Sequence, residues 1–469
     1  MPSRQDQLHS YQYSVQRVVA ALVSHDPDPH RSPLRRAGTT ALVSLVIAAA
    51  AVGAVAIYGL LTGTRSKDIN QDTVVYVEKG SGARFVYNST EKLLHPVLNY
   101  SSALLISNGA QPHVVNASHQ QLATVPLGVP LGIPGAPDSL PGAGDLLTGA
   151  WSVCTQSPAG TPQSTVVVGR ALPDGAPAQD DGLLVIDSAH QVYLVYHNRR
   201  YLIPGSIEGL ARILPVLGPN TTNPWPVDNA FANAVPLGAD LKPPKIPGAG
   251  RRARDGRYEV GQVIYSALPQ SATQWWVVLA DAPAPVTEMQ AKLLTTAPGA
   301  PAAVEDAGYG KGAKSRTTIS DVGRAAALPA TVPKLRDDLS SLCFTVPMLG
   351  SADRDPGHSG VRINASVPAG IAATGTTVPG GNPADRVSVP RGAGAVVVSA
   401  SSPTAPAGSG TVTLVTDTGK GYAIAGPEAL GKLGYAGVDL TTVRVPAELV
   451  GLLHQGPALD PVQAAKPGQ

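Results

Sequence analysis

Charge is scarce in this chain. Only 14% of its 469 residues are charged, and 35 Lys and Arg set against 33 Asp and Glu leave a formal net of +2, so there is no basic field for nucleic acid or another polyanion. Aromatics are few as well, at 4%, and the interior has to be built mainly from aliphatic side chains. His95, His113, His119, His190, His197 and His454 form neither a pair at i, i+4 nor a compact cluster, which leaves no metal-ligand pattern to assign. Cys154 and Cys343 are the only cysteines, and neither has a nearby His or Cys to complete a tetrahedral site.

Long apolar runs are missing too, with one exception. Ala41 to Leu61 is twenty-one residues without a charge, inside an uncharged window from Ala37 to Thr64. A hydrocarbon core about 30 Å thick needs roughly twenty residues at 1.5 Å rise, so one crossing is accommodated. A cleavable signal peptide is the competing reading, but its apolar region spans about 7–15 residues and its leader is short. Arg31, Arg35 and Arg36 precede the span, with Arg17 and Arg4 further back, whereas Arg65 and Lys67 after it are balanced by Asp68. That asymmetry predicts a cytoplasmic N-terminus and an exported remainder long enough for two or more cores.

Both cysteines fall in this exported part, within the apolar, strand-like runs Trp151 to Cys154 and Leu342 to Val346. A pair in an oxidising compartment is expected to bridge; two separate buried thiols are the alternative. Ahead of the span, residues 4–24 read as a helix with Leu8, Tyr11, Val15, Val18, Val19 and Leu22 along one face, ended by His25-Asp26-Pro27-Asp28-Pro29. Such a face either docks on a partner protein, the reading preferred, or lies on the membrane surface. Leu8, Tyr11, Arg17 and Leu22 are its candidate assembly residues.

The exported part carries a degenerate repeat. Leu194-Val195 precede Tyr201-Leu202-Ile203-Pro204-Gly205, and Leu414-Val415 precede Tyr422-Ala423-Ile424-Ala425-Gly426. In each copy a strand turns at polar residues, returns, and runs into a short helix, Ile207 to Leu214 or Pro427 to Leu433. Weaker copies begin at Val74 to Val77 with Phe85-Val86-Tyr87, and at Trp275 to Leu279 with a helix-like Thr287 to Leu294. Four small α/β units are expected, each too small to bury a core alone. The runs Trp151 to Cys154, Thr165 to Val168, Leu342 to Val346 and Ala395 to Ser399 are left to form a shared centre, and Pro/Gly-rich stretches at 126–144, 243–250 and 368–383 read as connections.

Several of these pieces, in order, resemble the EccB component of type VII (ESX) secretion systems of mycobacteria and related actinobacteria. They are Arg4, Gln7, Ser10-Tyr11, Arg17 and Ala21-Leu22-Val23; the early span; His95-Pro96-Val97-Leu98-Asn99 with Ser102-Ala103; Leu131-Gly132-Ile133-Pro134-Gly135-Ala136-Pro137; and Trp151 with Cys154. The resemblance covers nearly the whole chain, with Tyr13 standing where Phe is commoner. It implies an α+β protein: one transmembrane helix, then periplasmic repeats like a phage-lysin cell-wall-binding subunit around a β-rich central core closed by a disulfide. It also implies a hexameric inner-membrane assembly with EccC, EccD and EccE, a mycosin protease as a further partner, and export of small helical WXG-type and PE/PPE-type substrates. On this reading the chain divides into a cytoplasmic segment 1–37, span 38–63, linker 64–72, repeat one 73–147, core 148–181, repeat two 182–250, repeat three 251–330, core 331–408, and repeat four with the tail 409–469.

Some members of that family are described as ATPases. Gly308-Tyr309-Gly310-Lys311-Gly312-Ala313-Lys314-Ser315 matches a P-loop except that Ala313 replaces the second glycine. The flanking Pro/Gly/Ala residues offer neither the strand nor the helix that phosphate cradling needs, so an exposed basic loop is preferred over an ATP site at Gly308, Lys314 and Ser315. Asp355-Pro356-Gly357-His358-Ser359-Gly360 is weakly similar to a serine-protease nucleophile loop, but no triad partners can be placed and no catalytic residue is assigned. A structural and assembly subunit is therefore the leading reading, against a membrane-anchored ATPase or wall hydrolase and a passive cell-wall anchor.

Overall fold

The computed structural model describes residues 3–25, 33–61, 69–170, 172, 174–218, 223–267, 272–309, 327–346, 359–374, 382–402, 404–406 and 408–468. It divides into two compact units, Met1–Ile69 and Asn70–Gln469. In the first, α1 (Arg4–Ser24) opens with a capping box in which Ser3 accepts from the Asp6 N–H and Asp6 accepts from the Ser3 N–H. It closes at His25, whose left-handed φ of 57° stops the helix. Then α2 (Pro33–Leu61) contains Gly38–Tyr58, long and apolar enough to cross a membrane and not buried against protein.

Among the described residues, the second unit contains four sheets of one topology. In each, three strands form an antiparallel meander, a helix follows, and a fourth strand returns parallel to the first. Repeat one runs Val74–Glu78, Arg84–Asn88, Leu93–Val97, helix Tyr100–Ile106, His113–Ala117. Repeat two runs Asp181–Ile186, Val192–Tyr196, Arg199–Ile203, helix Ser206–Leu217, Trp225–Pro226. Repeat three runs Val263–Ser266, Gln274–Val278, Pro283–Val286, helix Glu288–Thr295, Val304–Glu305. Repeat four runs Ala395–Ala400, Thr411–Val415, Lys420–Ala423, helix Gly426–Lys432, Arg444–Pro446. The third strand ends the sheet in repeat three, where Pro283 and Pro285 are tolerated because fewer ladder donors are required of them, and Pro96 of repeat one serves its ladder as an acceptor only.

Among the described residues, three repeats add a strap that pairs with the third strand. Gly128 N–H donates to the Leu94 carbonyl at 3.0 Å and Leu131 N–H to Pro96 at 2.9 Å. Gly238 donates to Arg200 at 2.7 Å and Leu241 to Leu202 at 2.7 Å, while Gly456 donates to Gly421 at 2.8 Å and Leu459 to Ala423 at 2.7 Å. Each strap therefore reads Gly-x-x-Leu.

A seven-stranded central sheet holds Ile371–Ala372, Arg386–Ser388, Gln163–Val167, Trp151–Gln156, Ser341–Val346, Gly360–Ile363 and Ala176–Pro177, in that order. Two expectations are corrected here. Ala395–Ala400 is not part of this centre, because all its ladder bonds go to Thr411–Val415 and Arg444–Pro446; it is the first strand of repeat four, which begins before residue 409. Lys334–Arg336 likewise leaves the core segment 331–408 and pairs in parallel with Asp181–Ile186, the first strand of repeat two. For Ala395–Ala400 the cause is that a run of buried Val and Ala marks a strand without saying which sheet it joins, whereas Lys334–Arg336 is short and only partly buried and gives no strand signal.

The repeats pack in pairs. Repeats one and four share a core of Val75, Leu104 and Leu105 with Leu414, Ile424, Leu430 and Tyr435. Repeats two and three share another, in which Met289 and Leu293 meet Leu194, Leu210 and Ile213. A third cluster joins Trp151, Val153 and Phe344 of the central sheet to Leu183 and Phe231 of repeat two and to Val397 and Leu453 of repeat four.

Candidate functional site

Two features carry the architecture from motif to assembly, and the first is the junction between repeats one and four. Asn99 caps the helix Tyr100–Ile106 by accepting from the Ser102 N–H at 3.0 Å, and its amide donates to the Ile133 carbonyl at 2.7 Å. The Ile133 N–H in turn donates to Ser102 Oγ at 2.9 Å. Both polar groups of one linker residue are thus held by two motif side chains, and Ile133 enters the core shared with repeat four. Pro467 and Leu131 form an antiparallel bridge, and Gly132 N–H reaches the Lys466 carbonyl at 3.2 Å. Tyr435 is fully buried and donates to the Pro141 carbonyl at 2.9 Å, and burial pushes its phenol up. Lys432 Nζ donates to the Leu105 carbonyl at 3.1 Å.

The central disulfide lies between the paired repeats in chain order. Cys154 and Cys343 are directly opposed across the antiparallel pair Trp151–Gln156 and Ser341–Val346 and are bonded, with both residues fully buried among Val167, Leu172 and Ala365. The loop they close is 189 residues long and contains the whole of repeats two and three.

The second feature is the face of α1. Leu8, Tyr11, Val15, Val18 and Leu22 lie on one helical stripe and are all exposed, Tyr11 at 69% and Leu22 at 75%. Arg17 is not brought to that stripe. Its guanidinium carbon lies 5.7 Å from the ring centroid of Tyr13, one turn back on the opposite side.

Of the glycine loop, Gly308 and Tyr309 are described; Lys314 and Ser315 lie outside the described residues. Gly308 N–H donates to Asp306 Oδ1 at 2.9 Å, and Tyr258 donates to Asp306 Oδ2 at 2.9 Å. These bonds, Tyr258 first, hold the Asp306 carboxyl below the usual range. Tyr309 is buried edge-on to Tyr258, and burial pushes its phenol up to about 12. A cleft of about 400 Å³ beside them presents Asp255, Asp281 and Asp306 along with Arg254 and Arg257. In the protease-like segment, residues 355–358 lie outside the described residues, and Gly360 serves the fold. Asn198 Oδ1 accepts from the Val361 N–H at 2.8 Å, and a Cβ on Gly360 would fall 2.4 Å from that oxygen. Among the described residues no group of His, Cys, Asp and Glu could hold a metal ion.

One signal in the sequence gains its meaning only from the fold. Val125-Pro126-Leu127-Gly128 recurs as Val235-Pro236-Leu237-Gly238, and Ile133-Pro134-Gly135-Ala136 recurs as Ile246-Pro247-Gly248-Ala249. The first half of each is the strap; the second inserts its Ile into the neighbouring repeat's core. The same two strings thus serve the pairing of repeat one with four and of repeat two with three.

A family model described as Type VII secretion system ESX-1, transport TM domain B, matches residues 1–467. The ESX-3 secretion system ATPase EccB3 of Mycolicibacterium smegmatis is 24% identical over 467 residues, 97% of this chain and 88% of the relative. The ESX-5 secretion system ATPase EccB5 of Mycobacterium marinum is 29% identical over 310 residues, 63% of this chain and 59% of the relative. A chain in the structure of an intact ESX-5 inner membrane complex is similar with a TM-score of 0.63 at 22% identity, covering 100% of this chain and 96% of that one. The EccB3 dimer from the ESX-3 core complex gives 0.60 at 22% identity, covering 84% and 99%. Those two likenesses carry the fold, and the family match carries the kinship: this chain belongs to the EccB family of type VII secretion systems.

Proposed function

We propose that this protein is a structural and assembly subunit of a type VII secretion inner-membrane complex. Its N-terminus lies in the cytoplasm, α2 crosses the membrane, and the paired repeats form a periplasmic multimer, hexameric in the full assembly. The observation that carries the assembly role is the exposed stripe Leu8, Tyr11, Val15, Val18 and Leu22 on α1. Five large apolar side chains on one face of a short cytoplasmic helix are best explained by a partner helix, and EccC-, EccD- and EccE-type subunits are the partners proposed. The test is capture of the full chain from membranes through a C-terminal tag, followed by native electrophoresis. Tyr11→Ala with Leu22→Ala is expected to abolish the large complex at normal protein level, while Arg17→Ala on the opposite side has a smaller effect. An unchanged complex in the double variant refutes the docking role.

The names of the relatives supply a second reading, nucleotide hydrolysis. The described part of the glycine loop adds nothing in its favour: the Gly308 N–H is bonded to the Asp306 carboxylate, the adjoining cleft mixes Asp255 and Asp281 with Arg254 and Arg257, and Lys314 and Ser315 lie outside the described residues.

A further inference from the structure

Each repeat sheet ends on its fourth strand, and the ladder bonds fix which residues of that strand turn their backbone outward. In a parallel pair the N–H and C=O of one residue point to the same side, and the side alternates along the strand. The Ala117 carbonyl accepts from the Lys79 N–H at 2.9 Å, so Ala117, Val115 and His113 face the first strand while Val114 and Asn116 face away. The same alternation turns Pro226 outward in repeat two, where the Val227 N–H donates to the Ile186 carbonyl. It turns Glu305 outward in repeat three, where Asp306 donates to Tyr265, and Pro446 outward in repeat four, where Val398 donates to Val443.

Three of these edges are guarded. Proline has no N–H to offer a further strand, and an edge Glu opposes one by its charge. The guarded strands are also short, two residues in Trp225–Pro226 and Val304–Glu305 and three in Arg444–Pro446, against five in His113–Ala117. Repeat one has none of these devices. His113-Val114-Val115-Asn116-Ala117 contains no Pro, Lys, Arg, Asp or Glu, Val114 is 47% exposed, and among the described residues no strand pairs with its outer side. An open edge of this kind is a template for another strand.

The edge is complementary to itself. A two-fold axis at Val115 lays two copies antiparallel, with Val114 opposite Asn116 of the second copy, so that each outward N–H meets an outward C=O. Val115 then meets its own image as the non-hydrogen-bonded pair, about 4.5 Å between Cα atoms, which sets two β-branched side chains in contact. The strand has no charge to oppose its image. We propose that the outer edge of His113–Ala117 joins a second copy of this chain by antiparallel strand addition, making one sheet across two molecules. The inference rests on the multimeric reading given above. Two five-residue strands cover far less than the roughly 1,600 Å² of a standard interface, so the pairing sets the register of copies that the assembly holds together.

Val115→Cys tests this in the full chain, in native membranes treated with a mild oxidant, because Cys154 and Cys343 are bonded to each other and leave the new thiol alone. A disulfide-linked homodimer is expected. It should form at least about tenfold faster than with Asn116→Cys, whose images lie roughly 7–8 Å apart across the axis, beyond the reach of a disulfide. Adding Asn116→Pro to Val115→Cys, after Pro226 and Pro446, should suppress the link, as should Asn116→Glu, after Glu305, which needs no change of backbone. Native electrophoresis of the same membranes separates the two readings. A multimer of normal size without the Val115→Cys link, or with equal linking at 115 and 116, overturns the strand pairing and leaves the assembly role standing. Absence of the multimer in the wild-type chain overturns both. A link to a different protein, or a link retained in both added variants, also overturns the pairing.

Discussion

Removing the disulfide by Cys154→Ala with Cys343→Ala should lower the stability of the 400-residue exported unit by about 5 kcal/mol, the loop-closure entropy that the chain-entropy model assigns to a 189-residue loop. Alanine is the right replacement because both positions are fully buried among apolar side chains, where serine would strand a hydroxyl. At roughly 2.1 cal/mol/K per residue, 400 residues unfold with an entropy near 0.8 kcal/mol/K, so the loss corresponds to a fall in midpoint of about 6 °C if the unit melts as one. Calorimetry of the exported unit gives the midpoint. Urea titration gives the second readout, since an uncrosslinked denatured chain exposes more surface and the slope m should rise with the loss. A midpoint within about 1 °C of wild type, with m unchanged, would refute the entropic reasoning and require the native state to have gained what the denatured state gave up.

Three further outcomes are expected. Asn99→Ala should cost about 2–3 kcal/mol in urea unfolding, because it removes a helix cap and strands the buried Ile133 carbonyl at once; Ser102→Ala, which strands only the Ile133 N–H, should cost less. Gly456→Ala should destabilise by about 2–3 kcal/mol through its collision with the Tyr422 ring, and Tyr422→Ala in the same chain should recover part of that loss; additive losses would show that the ring is not the obstacle. Lys314→Ala should leave any nucleotide turnover of a highly purified preparation unchanged. Selective loss of turnover with an unaltered melting temperature would return the enzyme reading.

The motifs that identify the family are legible as residues and not as contacts. His95, Asn99, Ser102 and Ile133 stand in the sequence as two short strings some thirty residues apart, and only the folded chain shows that the strings bond to one another. Periodicity finds the second and third strands of repeats two and four because Leu-Val and Tyr-x-Ile pairs alternate there. It misses Pro283–Val286, since proline is a poor strand signal until the strand is known to lie at an edge. It also misses the straps. A segment such as Val-Pro-Leu-Gly has no period to detect, and its ladder bonds are made to a strand some thirty residues earlier. The α1 face is readable because an amphipathic stripe needs no partner to be seen; the position of Arg17 is not, because its place depends on Tyr13 one turn away.

The order of pairing explains why the disulfide sits where it does. Repeat one packs on repeat four, and repeats two and three pack on each other between the two central strands that carry Cys154 and Cys343. The inner pair therefore leaves and re-enters the central sheet at neighbouring strands, and a single cross-strand bond closes its base. The outer pair has no such bond available. Its ends are separated by some three hundred residues of chain, and what joins them is a seam of backbone hydrogen bonds around Leu131, Gly132, Ile133 and the tail, together with one shared apolar core. The ring against the strap beside this seam is the His95 imidazole, on the third strand of repeat one, and the corresponding rings in repeats two and four are phenols.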